Sequence, residues 1–311
     1  MPNWGELQEE LAGIQEQVAA QGVADVAPAD ILRRKYLTML SQQTERATIL
    51  YYSGFQQNPG AAPVALSVTT ADMNGFMLTC SGLDGPHLDL FLHSPGGDPD
   101  AVEQICSYLR TRFDHIRAIV PLNAMSAATM MALSADEILM GAHSQLGPID
   151  PQMTIGMPEG PRTYSAQAIK DQFALAVEDC KDPSKLNAWI PILRSFAPGL
   201  LAACDHASER ARNIVADALR DYMFKGDDQA EGKAHAAAEW FGDAARFLSH
   251  GHPVRREAAR EQGIVIQDLE GQPDLQDAVL SVHHSTIITL ANWGLAKLVE
   301  NNNGQVWSLA G

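Results

Sequence analysis

Two short stretches carry residue types suited to acyl-transfer chemistry. The first is His93-Ser94-Pro95-Gly96-Gly97-Asp98, set between an apolar run and a helical pattern. Paired glycines accept positive φ and let backbone approach a ligand closely, and the N–H groups of such a turn can hold an oxyanion. A plain strand-to-helix connection also uses glycine, so the turn by itself is a weak signal. The second is Asn123-Ala124-Met125-Ser126-Ala127-Ala128-Thr129, which puts a hydroxyl among small residues where a strand gives way to an apolar helix. At a helix N-terminus the alkoxide of Ser126, and the oxyanion made by its attack, would both meet the positive end of the helix dipole. An ordinary serine N-cap fits the same position.

Other residues have weaker claims. His143 and Asp150 flank Leu146-Gly147-Pro148-Ile149 and can orient a catalytic pair, but Asp150 between Ile149 and Pro151 also reads as a turn-capping residue. The His250/His252 and His283/His284 pairs have no carboxylate at zincin spacing, so they read as surface or core histidines. Cys80, Cys106, Cys180 and Cys204 form no CxxC pair and read as reduced, small apolar residues. No metal and no cofactor is expected, since GxGxxG is also absent.

The elements around these stretches follow from periodicity. Residues 88–94 (LDLFLHS) and 116–121 (IRAIVP) read as buried strands on either side of the helix PDAVEQICSYLRTRF, which Asp98 or Asp100 can cap. A helix from Ser126, a short strand EILMG and a rigid loop SQLGPIDPQ come next. Such strand-helix units argue for an α/β fold with parallel strands. Upstream, ATILYYSGF reads as a strand. Trp4, Leu7, Leu11, Ile14 and Val18 make a helical stripe, so 1–45 reads as a helical arm interrupted by GVADVAPAD. From Ala166 to Leu248 the pattern is mostly helical, and HHSTIITLANWGLAKLVENNNGQ reads as an apolar helix frayed by its asparagines.

Composition narrows the function classes. In 311 residues, 22 Lys+Arg face 38 Asp+Glu, and the net charge of −16 would repel phosphate backbones and anionic lipid. Nucleic acid is therefore not an expected partner. The acidic start lacks the charge pattern of a secretory signal, and the apolar stretch 124–140 is broken by Ser, Thr, Asp and Glu, so no membrane span and a cytoplasmic location are expected.

Taken in order, LHSPGGD and VPLNAMSAATMMALSADEILMGAHSQLGPIDPQ resemble the serine dehydrogenase proteinase family, relatives of signal peptide peptidase A in the Clp/crotonase superfamily. The resemblance covers residues 33–180, with RRKYLTMLSQQTERATILYYSG near its start, and HGHPV at 250–254 echoes it farther on. It implies Ser126 as nucleophile, with the N–H groups of Gly97 and Ala127 as oxyanion donors; Gly96, His143 and Asp150 stand beside them as candidate supporting residues. Where Clp-type peptidases place their histidine, this chain reads Ile149-Asp150-Pro151, and His143 comes too early, 17 residues after Ser126. Signal peptide peptidase A relatives use a lysine instead, and Lys170, 44 residues after Ser126, is the expected proton acceptor, provided that its amine is neutral.

The resemblance thus implies a Clp/crotonase-like α/β spiral of β-β-α units, with a helical N-terminal arm (1–45), a peptidase domain (46–255) and a C-terminal helical extension (256–311). The expected function is serine peptidase, acting through a Ser-Lys dyad on peptide or unfolded protein as a homo-oligomer. Alternatives are a catalytically silent scaffold or peptide-binding module of the same fold, and an acyl-CoA enzyme that shares the oxyanion hole without needing Ser126.

Overall fold

The computed structural model describes residues 4–21, 27–156 and 160–311, so most of the loose segment between the first two helices, residues 22–26, lies outside them. In chain order the elements are α1 (Trp4–Gln21), α2 (Pro28–Thr44), β1 (Ala47–Ser53), α3 (Pro63–Leu66), α4 (Met73–Cys80), β2 (His87–His93), α5 (Pro99–Arg110), β3 (His115–Val120), β4 (Asn123–Ala124), α6 (Ala127–Leu133), β5 (Glu137–Met140) and β6 (Gln145–Leu146). There follow β7 (Gln152–Ile155), β8 (Arg162–Ser165), α7 (Ala166–Asp179), α8 (Leu186–Leu193), α9 (Leu200–Ala218), α10 (Ala230–Phe241), α11 (Ala244–Phe247), α12 (Arg256–Arg260), β9 (Ile266–Asp268), α13 (Pro273–Trp293), β10 (Leu295–Asn301) and β11 (Val306–Ala310).

The main sheet has the order β11-β10-β1-β2-β3-β5-β9. Strands β1, β2, β3, β5 and β9 run parallel, and β10 and β11 extend the sheet antiparallel. Every residue of β1 is buried, which is why it reads as an unbroken apolar run and not as an alternation. Its odd positions, Ile49 and Tyr51, join the core under α5, α6, α9 and α10. Its even positions, Leu50 and Tyr52, join the core under α2 and α13.

One region differs from its sequence reading. The long C-terminal helix stops at Trp293, because Gly294 takes up the left-handed conformation at φ 56°, and residues 295–310 form two strands instead of a frayed helix. The strand signal is masked because Lys297 and Glu300 are buried: Lys297 Nζ lies 2.7 Å from Asp72 Oδ1, and Glu300 pairs with Arg33 at 2.5 Å. The N-terminal arm, in turn, folds back on its own chain. Leu7 and Leu11 pack with Ala29, Leu32 and Ile288, so α2 and α13 cover much of the stripe that the sequence leaves bare. Among the described residues no helix is long and apolar enough to cross a membrane.

Candidate active site

The candidate catalytic loops meet through a second, very short ladder beside the main sheet. Ala124 of β4 pairs with Leu146 of β6, Ser94 bridges to Ala124 on one side, and Val254 bridges to Leu146 on the other. Four segments far apart in sequence are thereby set side by side: the Pro-Gly-Gly turn, the serine segment, the LGPID loop and the HGHPV loop. Thr129 ties the serine segment to the LGPID loop, donating from Oγ1 to Ala124 O at 2.7 Å while accepting the Gly147 N–H at 2.9 Å.

Ser126 precedes α6 at φ 53°, ψ −121°, and its side chain makes no capping hydrogen bond. The N-cap reading therefore does not describe it: a non-glycine residue in this region costs about 1–3 kcal/mol and is held there by its surroundings. All of α6 behind it is buried, which supplies that constraint. The glycine turn lies directly against the serine. A Cβ on Gly96 (φ 96°) would stand 2.7 Å from Ser126 Cβ and 2.8 Å from Ala127 N, and one on Gly97 would stand 2.4 Å from Val68 N and O. Val68 fixes the turn by donating to Gly96 O at 2.8 Å and accepting from Asp98 N–H at 2.9 Å. The N–H groups of Gly97 and Ala127 have no hydrogen-bond partner among the described residues.

Gly97, Ser126, Ala127, Asp150, Gln152 and Arg210 share one cavity of about 290 Å³. Asp150 is buried, and both of its oxygens are engaged: Oδ1 stands 2.8 Å from His250 Nδ1, and Oδ2 accepts from Gln152 Nε2 at 2.8 Å. At the rim, Arg210 of α9 reaches back to Asp100 and Glu103 of α5. Among the described residues, no cluster of three or more His, Cys, Asp and Glu side chains is arranged to hold a metal ion.

The structure thus brings Ser126, Gly96, Gly97, Ala127 and Asp150 together. It puts Lys170 elsewhere, on α7, where Nζ lies 2.6 Å from Asp205 Oδ1 in an ion pair with both side chains at least a third exposed. His143 sits on the exposed turn after β5, off the cavity lining. His250 also lies off the cavity lining and meets it through Asp150. It stands 100 positions from its carboxylate partner, and only the HGHPV echo marks it.

The chain is 29% identical over 240 residues to an uncharacterized protein of Methanocaldococcus jannaschii, spanning 75% of this chain and 73% of that one. A second uncharacterized protein of the same organism is 28% identical over 181 residues, covering 58% of this chain and 51% of its own length. A solved structure of an alanine mutant of the 1510-N membrane-bound stomatin-specific protease aligns over 68% of this chain and 79% of that chain, at 16% identity and a TM-score of 0.41. The family described as ClpP-like SDH-type serine proteinase matches residues 78–270, and with a Clp/crotonase-like α/β fold the chain belongs to that family.

Proposed function

We propose that the protein hydrolyses peptide bonds with Ser126 as nucleophile, the N–H groups of Gly97 and Ala127 as oxyanion donors, and the Asp150–His250 pair as the proton-handling element. The observation that carries this reading is the strained Ser126 backbone, pressed against the glycine turn in a cavity that also holds Asp150. A carboxylate on His250 Nδ1 fixes the ring and leaves Nε2 to take the Ser126 proton as Oγ bonds to the scissile carbonyl. The same nitrogen returns that proton to the leaving amine as the C–N bond breaks, and water then releases the acyl group by the reverse exchange. Unpartnered N–H donors at Gly97 and Ala127 suit the tetrahedral oxygen, at about 10²–10³ in rate per donor.

Lys170 is the alternative acceptor, favoured by its spacing from Ser126. It would have to leave Asp205 and enter the cavity uncharged. A peptide or unfolded protein substrate, residues 46–255 as the catalytic unit, a homo-oligomeric state and a cytoplasmic location complete the reading.

A serine-reactive fluorophosphonate and a casein-derived peptide test it. Labelling and turnover that vanish in Ser126→Ala and His250→Gln, but persist in Lys170→Met, are expected. Loss in Lys170→Met with activity kept in His250→Gln transfers the role to the lysine. No labelling of folded wild-type protein favours the silent scaffold, and thioester turnover that survives Ser126→Ala favours the acyl-CoA enzyme.

A further inference from the structure

Away from the catalytic cavity, an aromatic cluster rich in histidine closes the seam where α13 covers the C-terminal ends of β1 and β2. His93, the last residue of β2, is fully buried, and neither of its ring nitrogens has a hydrogen-bond partner. Its ring lies 5.1 Å from Phe55, 5.3 Å from Tyr52 and 5.5 Å from His283, centroid to centroid. His283 Nδ1 stands 3.1 Å from the Tyr52 hydroxyl, and its ring is 5.6 Å from His284, which in turn meets the edge of Trp4 on α1 at 5.5 Å.

We propose that these imidazoles form an acid-sensitive latch. Neutral, they seal α13 to the sheet and hold the turn that begins at Ser94; protonated, they part that seam. The coupling to the turn runs through Ser94, whose Oγ accepts the Gly96 N–H at 3.1 Å, whose N–H donates to Asn123 O at 3.0 Å, and whose carbonyl accepts the Met125 N–H at 3.0 Å. A shift of His93 is therefore felt on both catalytic loops.

The titratable groups facing the cluster are Tyr52 from β1, His93 from β2, His283 and His284 from α13, and His143 from the turn after β5. On α13 the nearest preceding carboxylate, Asp277, is about two turns before His284. Burial pushes the His93 imidazole down from 6.5 to about 4, and burial together with the neighbouring imidazoles lowers His283 and His284 as well. Because the unfolded chain binds these protons first, the seam's contribution is whole above about pH 6.5 and drains away as pH falls toward 4. More than one proton is taken up, so the loss is steep.

Hydrogen exchange read by mass spectrometry on the full-length wild type, corrected for intrinsic rates, tests the latch without relying on peptidase activity. Between pH 7.5 and 5, protection of 87–98 and 273–293 is expected to fall at least tenfold more than that of 200–218, with recovery on return to pH 7.5. A uniform change, or none, overturns it. Two variants serve as a second reading: in His93→Phe, or in the more exposed His284→Phe, the pH at which protection is lost moves down by half a unit or more and the dependence flattens. Folded variants whose transition stays at the wild-type pH also overturn it.

Discussion

At the level of single residues, the backbone of Ser126 separates its chemical role from its structural one. No capping hydrogen bond is lost in Ser126→Ala, so the variant should fold with wild-type stability while turnover drops by up to about a million-fold. Ser126→Gly should be equally inactive yet about 1 kcal/mol more stable than Ser126→Ala, because glycine accepts φ 53° without strain; paired urea titrations measure the difference. Gly97→Ala should lose both activity and stability, since the new methyl meets the Val68 backbone. The local geometry of Ser126 and the two glycines was legible in the sequence because it depends on nearby backbone. Asp150 was visible as a supporting or turn residue and His250 through the HGHPV echo, but their pairing was not, because no local pattern encodes a contact across 100 residues.

For whole elements, the short ladder of Ser94, Ala124, Leu146 and Val254 matters more than its length suggests, and Thr129 is its fastener. Thr129→Val keeps the shape but strips Ala124 O and Gly147 N–H of their buried partner. A loss of about 2–4 kcal/mol, read from denaturant midpoints, together with a fall in kcat larger than any change in KM, is the expected result. The strand-helix alternation from β2 to β5 could be read from periodicity because each element buries a continuous apolar run. The β10–β11 hairpin could not, since its buried Lys297 and Glu300 imitate an exposed surface, and only their distant partners Asp72 and Arg33 make burial tolerable.

Across the whole molecule, that hairpin joins segments far apart in the chain. Ile49 lies opposite Asn301, and ending the chain at Gly294 would strip β1 of a neighbour, leave Asp72 and Arg34 without their counter-charges, and leave buried Arg33 with Asp30 alone. Such a truncated chain should fail to fold, appearing in the insoluble fraction or lacking a cooperative thermal transition. Retention of a wild-type melting curve would show the hairpin to be dispensable. The same connectivity bears on timing. Because the four laddered residues beside Ser126 span positions 94 to 254, and the sheet behind them includes strands past 295, synthesis must reach β11 before the proposed nucleophile is framed. On the proposed function, a newly made copy is unarmed while its own unfolded segments are within reach.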